Sequence, residues 1–388
     1  MIPISRLSVG EAEAKAAYDV IKSGWIAQGK KVEEFEKLVA AYVGAKHGVA
    51  VSSATTGLQL ALLAAGVKPG DEVICPSYSF IATANSIAYV NAKPVFVDID
   101  PRTYNIDVSK IEAAITPRTR AIMPVSQVGL GADLDAVMKI ARKHNLKVVE
   151  DAAPSFGATI HGKKVGGISD LTVFSFDARK ILTVGEGGVI TTDDDAMAKA
   201  MRDMRAHSAS ASMLARHTTS NVVLERYPSL GFNFKMTDIN GAIGIVQMGH
   251  VEEFIAQRRR LADRYVQLLK DERRIELPYE PAGYRHVWQS YTVRILSNHS
   301  QLQVMTDMAK KDVATRRVIA CHLEGDHRKN NPQLVLPESE AATSRTLLLP
   351  MFAGMTDAEQ DAVVGALKYA LDQAEDLADE APRRAAHG

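Results

Sequence analysis

The sequence predicts an α/β fold followed by a smaller α+β region, and three observations carry that prediction. Short β-branched runs alternate with helical patterns from about residue 45 to 195, the signature of a sheet covered on both faces by helices. A long helical pattern over 237–270 comes next, and beyond it lie a strand and two helices. The length of 388 residues suits two domains at roughly 150 residues each.

Taken in order, residues 55–65 read as a helix entered from small hydroxyl residues, 72–75 as a strand, 82–89 as a helix, and 94–97 as a strand ending in Asp98. Residues 121–125 form the next strand, 134–144 a helix capped by Asp133, and 146–150 a strand running into Asp151. Two further short strands, 171–176 and 188–191, precede an Asp-capped helix starting near Asp195. In 237–270, the apolar positions Ile239, Ile243, Val246, Val251, Phe254 and Ile255 describe a helix linking two domains. Pro278 and Pro281 end it, and 286–295, 302–311 and 357–377 read as a strand and two helices. The expected division is 1–250, 251–380 and a disordered tail, 381–388, of mostly Ala, Arg and Pro.

Charge and composition narrow the function. Lys and Arg total 46 and Asp and Glu total 46, so no bulk positive field exists to hold nucleic acid or an anionic membrane. A small-molecule protein is expected. Cys75 and Cys321 belong to no close-spaced set, which argues against a disulfide framework or a zinc knuckle and for a reducing, cytoplasmic compartment. Arg6, Glu11, Glu13 and Lys15 interrupt any signal-peptide core, and the most apolar stretch, 58–67, falls well short of the ~20 residues that span a bilayer. Asn298-His299-Ser300 matches a glycosylation acceptor but reads as an ordinary loop.

Several motifs fail on chemistry. Gly157 to Lys163 has the spacing of a phosphate loop, but Lys164 stands where a magnesium-binding hydroxyl is required, and the segment reads as a strand and a turn. Gly129-Leu130-Gly131 lacks the third glycine of a dinucleotide fold. Cys321, His322 and His327 lack a fourth partner at a metal-binding spacing, so no metal is expected.

The chemistry-bearing feature is Phe174-Ser175-Phe176-Asp177-Ala178-Arg179-Lys180, followed by Gly185-Glu186-Gly187-Gly188. Two companions give the lysine meaning. Glu150-Asp151 is delivered to the carboxyl end of a strand, where α/β sheets gather ligands. Ser52-Ser53-Ala54-Thr55-Thr56 precedes a helix, whose free N–H groups and dipole bind phosphate. Each feature alone reads as a surface lysine, a turn or a helix cap. Together they supply what pyridoxal phosphate (PLP) requires: Lys180 for a Schiff base and for proton transfer, Asp151 to keep the ring nitrogen protonated, and a helix start for the phosphate. Phe80 is the candidate for stacking on the ring, although core packing would also account for it.

These residues resemble the DegT/StrS-type family of fold-type-I PLP enzymes. The landmarks run in family order along nearly the whole chain: Ser23-Gly24-Trp25 with Phe35-Glu36, Ser53-Ala54-Thr55, Gly70-Asp71-Glu72-Val73, Glu150-Asp151-Ala152-Ala153, Ser175-Phe176 leading to Lys180, Gly185-Glu186-Gly187-Gly188, and Gly231-Phe232-Asn233-Phe234. The resemblance implies a large PLP-binding domain, with a mixed, mostly parallel sheet between helices as in aspartate aminotransferase, and a small C-terminal α+β domain. It implies that Lys180 holds the cofactor covalently, Asp151 meets its ring nitrogen, Phe80 stacks on it, and Ala54, Thr55 and Ser175 bind its phosphate. Asn233 would reach the cofactor of a neighbouring subunit, which implies a homodimer with shared sites. The lysine separates this chain from the family's dehydratase branch, where a histidine stands there. The implied reaction moves an amino group from an amino-acid donor to a keto-sugar, by default one linked to a nucleotide.

The departures bear on the acceptor. Ser126 follows Pro124-Val125 where many relatives have histidine, Pro154 follows Asp-Ala-Ala where glutamine is usual, and Ala320 lies where a Tyr and Pro stretch is common. Ser126 and Pro154 are expected near the cofactor or substrate. The basic pair Arg316-Arg317 reads as solvated charge or as a contact for an anionic acceptor. A simpler ketone, aldehyde or keto acid is therefore the alternative acceptor, and a non-catalytic PLP-binding regulator is the alternative outside enzymes.

Overall fold

The computed structural model describes residues 1–210, 224–297 and 299–373; the expected tail 381–388 and Asn298 of the glycosylation motif lie outside the described residues. Ten strands belong to the first two-thirds of the chain: β1 (His47–Val51), β2 (Glu72–Pro76), β3 (Tyr78–Ser79), β4 (Lys93–Val97), β5 (Thr119–Ile122), β6 (Lys147–Asp151), β7 (Thr159–Ile160), β8 (Lys163–Lys164), β9 (Leu171–Ser175) and β10 (Gly188–Thr192). Seven of them form one sheet in the order β1-β10-β9-β6-β5-β2-β4. It is mixed and mostly parallel: β9, β6, β5, β2 and β4 run together, and β10 is antiparallel to both β1 and β9.

Alternation along the central strands builds a core on each face. Val173 of β9 packs with Leu58, Leu60, Ala61 and Leu62 of the helix Ala54–Ala64. Its neighbour Phe174 packs on the other side with Phe35, Val39, Phe156, Phe176 and Ile255. Gly57 lets that helix approach closely, since a Cβ there would stand 2.9 Å from Val173 Cγ1. The strands before and after the crossover helices are short and largely buried because both faces are covered.

The decoy motif at Gly157 to Lys163 is the expected turn: β7 and β8 pair antiparallel, with His161 at φ 48° and Gly162 at φ 81° between them. The long pattern at 237–270 is two helices, Asp238–Met248 and Val251–Leu269, rather than one linker. Gly249, a poor helix former, lies at the break. Val251, Phe254 and Ile255 pack with the large sheet's core, while Leu261, Ala262, Tyr265 and Leu269 join a second core. That second core surrounds a three-stranded antiparallel sheet, β11-β13-β15, made of β11 (Ile275–Glu276), β13 (Tyr291–Ile295) and β15 (Thr346–Leu349). The helices Gln301–Lys310 and Asp357–Gln373 cover it. β13 starts at Tyr291, not at residue 286, because 286–290 form a turn with Trp288 at φ 53°.

Two small pairings return the C-terminal part of the chain to the large sheet. β12 (Tyr284–Arg285) pairs with β7, and β14 (Ile319–Ala320) pairs with β3. Two N-terminal helices, Glu11–Ser23 and Lys30–Val43, were not foreseen; the second buries Val32, Phe35, Val39, Ala40 and Val43. Among the described residues, no helix is long and apolar enough to cross a membrane.

Candidate active site

Parallel pairing sets the site. Asp151 closes β6 opposite Val173 of β9, so Asp151 and Ser175 leave the sheet at adjacent strand ends. The helix Ala54–Ala64 starts at the same edge: a Cβ on Gly188 would lie 2.8 Å from the Ala54 amide nitrogen and 2.9 Å from the Phe174 carbonyl oxygen. Only glycine at 188 allows this close approach. Ser53 caps the helix, accepting from the Thr56 amide at 3.2 Å. Ala54 and Thr55 therefore present the first helical N–H groups, which have no intrahelical acceptor. They face the side where Ser175, 6% exposed, ends its strand.

Glu150 and Asp151 point to opposite faces, as neighbours on a strand must. Asp151 accepts from Thr83 Oγ1 at 2.7 Å and from the Ala153 amide at 3.1 Å. Ser79 Oγ stands 2.7 Å from Thr83 Oγ1, completing a buried line of hydroxyls to the carboxylate. Burial raises the Asp151 carboxyl above its ordinary value, against the lowering effects of the Thr83 hydrogen bond and the nearby Lys180 charge. Lys180 follows β9 in a turn in which its amide donates to the Asp177 carbonyl at 3.0 Å. Burial lowers its ammonium below the usual value, opposed by the charges of Asp151 and Asp177.

On the other face, Glu150 accepts from Ser126 Oγ at 2.5 Å, Thr172 Oγ1 at 3.1 Å and Ser169 Oγ at 3.3 Å. Burial pushes its carboxyl up to about 7, helped by the charge of Asp151 and opposed by these three donors. Ser126 stays beside Asp151 through its amide, which donates to the Asp151 carbonyl at 3.0 Å. The Ser126 hydroxyl is spent on Glu150 and on the Ala132 amide, which donates to it at 3.0 Å, and so does not face the Asp151 side.

The remaining candidates are exposed. Phe80 immediately precedes the helix Ile81–Tyr89 that carries Thr83, and the residue is 67% exposed rather than packed in the core. Asn233 is exposed on the surface, where Lys235 Nζ donates to its Oδ1 at 2.6 Å. Arg316 and Arg317 are exposed too. The two histidines weighed as metal ligands have other partners. His322 lies between Ser77 Oγ, 2.6 Å from Nδ1, and Glu340 Oε1, 3.1 Å from Nε2; His327 Nε2 is 2.9 Å from Asn85 Oδ1. Sequence reasoning passed over Thr83 and Ser79, whose only signal is their meeting with Asp151 in space.

PLP suits this donor set on chemical grounds. Asp151 is a buried carboxylate whose hydrogen-bond partners are hydroxyl and amide donors, and a cationic ring nitrogen would add a directly bonded counter-charge to that of the nearby Lys180. The helix start offers N–H groups to a phosphate dianion, and Lys180 offers a partly buried amine of lowered basicity.

This combination of a doubly covered α/β sheet, a lysine past one strand end and an acid at the next fits a PLP-dependent aminotransferase of the aspartate-aminotransferase type. The chain belongs to the DegT/DnrJ/EryC1/StrS aminotransferase family, whose model matches residues 8–368. It is 42% identical over 361 residues to the GDP-perosamine synthase of Caulobacter vibrioides, covering 89% of this chain and 92% of that one. Among solved structures it is similar to the aminotransferase TlmJ from Streptoalloteichus hindustanus, with a TM-score of 0.89, 31% identity and coverage of 96% and 99%. Spr1654 from Streptococcus pneumoniae, in its PMP form, superposes with a TM-score of 0.90 at 27% identity, with coverage of 96% and 99%.

Proposed function

We propose that this enzyme moves an amino group from an amino-acid donor to the ketone of a nucleotide-linked sugar, acting as a cytoplasmic homodimer. The observation that carries the acceptor is the 42% identity, over most of both chains, to a synthase named for a nucleotide-linked amino sugar. The division that goes with this reading is a PLP-binding large domain over 1–250 and a small C-terminal domain over 251–380.

When bound, PLP supplies a carbonyl carbon to carry the amino group and a ring to accept the electron pair left at the donor's Cα. The chain's residues do the rest. The Ala54 and Thr55 amides, with the Thr55 and Ser175 hydroxyls, bind the phosphate and fix the ring's position. Asp151 holds a proton on the ring nitrogen, and Thr83 supports its charged form by donating to Oδ2. Phe80 covers one ring face and excludes water from it. Lys180 Nζ, less basic because it is buried, would take the proton from the donor Cα and deliver it to the cofactor carbon that receives the amino group. Asn233 extends from each protomer to the phosphate of its partner's cofactor, and the exposed Tyr18, Ile21 and Ile26 offer apolar surface for that association. Both cysteines are free and buried, in keeping with a reducing compartment.

The test is a half-reaction screen. The PLP-loaded protein is converted to its amine form by a panel of amino acids, desalted and mixed with nucleotide-linked keto-sugars or with pyruvate and simple ketones. Return of the near-visible absorption with a nucleotide-linked keto-sugar supports the reading. Return only with the simple acceptors overturns it.

A further inference from the structure

The turn at 286–290 is held in an unusual conformation from several sides. Trp288 has φ 53°, and Val128, in the segment it packs against, has φ 50°. Large and β-branched residues avoid this region, and they persist there only when the surroundings enforce it. The two segments are bonded backbone to backbone: the Val287 amide donates to the Gly129 carbonyl at 2.9 Å, and the Ser290 amide to the Val128 carbonyl at 3.1 Å. Even a Cβ at Gly129 would be excluded, since it would lie 2.6 Å from the Gln289 amide nitrogen.

Behind the turn stands Arg258, 3% exposed on the helix Val251–Leu269. Its Nη1 donates to the carbonyls of Trp288, Gln289 and Met351 at 3.1, 3.2 and 3.1 Å. Among the described residues it forms no ion pair with a carboxylate, and burial lowers its guanidinium to about 10. A buried cation satisfied only by carbonyls is costly. It makes the position of those carbonyls matter, because the cation's only compensation is their geometry.

In front of the turn, Gln289 Nε2 donates to the carbonyl of Arg179 at 2.7 Å, one residue before Lys180. The far side of the lysine loop is held from the helix Asp238–Met248, where Asn240 Nδ2 donates to the Val184 carbonyl at 2.7 Å and Gln247 Oε1 accepts from the Thr183 amide at 3.3 Å. The lysine end has its own Asp177 turn and Gln289.

We propose that Gln289 is a positioning residue for Lys180, locked in place by Arg258, so that the C-terminal part of the chain sets where the reactive amine points. The proposal rests on Lys180 being the cofactor lysine. Gln289→Met keeps the length and removes the donor; Arg258→Lys keeps the charge and loses reach to the three carbonyls. A single hydrogen bond contributes about 0.5–1.5 kcal/mol net, so the acylation rate of Lys180 in the full-length chain, followed by peptide mass spectrometry across pH, should change by roughly 2- to 10-fold in Gln289→Met. The other lysines and the melting temperature should stay as in the parent. With PLP bound, the pH midpoint of the near-visible absorption should move in both variants. Unchanged Lys180 labelling and an unchanged absorption midpoint in both variants would overturn the proposal, as would a general change across all lysines. Failure to trap PLP on Lys180 in the parent protein would instead overturn the underlying assignment, so the two failures are distinct.

Discussion

Glu150→Gln tests the buried acid next to the candidate catalytic one. Glu150 is 0% exposed, and its carboxyl rises from an ordinary 4.5 to about 7, with burial as the main cause. A carboxyl raised in the folded state binds more protons there than in the unfolded chain, so stability falls as pH climbs from 4.5 to 7 and stays lowered above that. The full effect is about 3 kcal/mol, at 1.36 kcal/mol for each unit between those two values. Glutamine preserves the shape: Ser126 still donates to its oxygen, and Thr172 and Ser169 rotate to accept from its NH2. At about 2.1 cal/mol/K of unfolding entropy per residue over 388 residues, the variant should melt roughly 4 °C above the parent at pH 8. The gap should shrink by roughly 3 °C at pH 5, where the parent's Glu150 is protonated when folded. The assay is a pair of thermal melts of the full-length chain at matched ionic strength. A gap that is independent of pH, or a variant less stable at pH 8 than at pH 5 relative to the parent, would refute the reasoning.

Other predictions concern the site itself. Thr83→Val removes the hydroxyl that donates to Asp151 at 2.7 Å; a bond to a charged group is worth about 2 kcal/mol, so the first half-reaction should slow roughly 30-fold, with Thr83→Ser restoring it. Equal rates in Thr83→Val and the parent would remove Thr83 from the site. For the shared-site dimer, Lys180→Ala and Asn233→Asp homodimers should each lose activity, while mixing and reassociating them should recover up to about a quarter of the parent's. That fraction follows from half of the dimers being mixed, each with one site built from two intact contributions. No recovery, with dimers present by light scattering, would argue that each protomer holds a self-sufficient site.

Much of this fold is legible in the chain because covered strands are runs of apolar residues. The strands β2, β4, β6, β9 and β10 begin and end within about two residues of where β-branched runs meet turn residues. The capping of the helix Leu134–Lys143 was legible too, since Asp133 accepts from the Ala136 amide as its chemistry suggests. The helix Glu11–Ser23 was harder, because it buries only Glu13 and Val20 and leaves Tyr18 and Ile21 exposed, which blurs the apolar stripe. Two-residue strands such as β3 and β14 carry no periodicity at all. In the site, Lys180 and Asp151 stood out because their neighbours at strand ends and glycine turns are unusual in combination. Thr83, Ser79 and Gln289 did not, since a hydroxyl or an amide acquires a role only from what it meets across the fold. The direction of the Ser126 side chain, toward Glu150, was not legible for a related reason: one residue's shift along an extended chain turns a side chain to the opposite face.

The central claim is that Lys180 holds the cofactor, and reduction tests it most directly. PLP-loaded protein, treated with borohydride and digested, should carry one covalent pyridoxyl group per chain, on the peptide containing Lys180, with loss of the near-visible absorption; Lys180→Ala should take up none. A modified lysine elsewhere, or a parent protein that stays colourless and unmodified in excess PLP, would contradict the account.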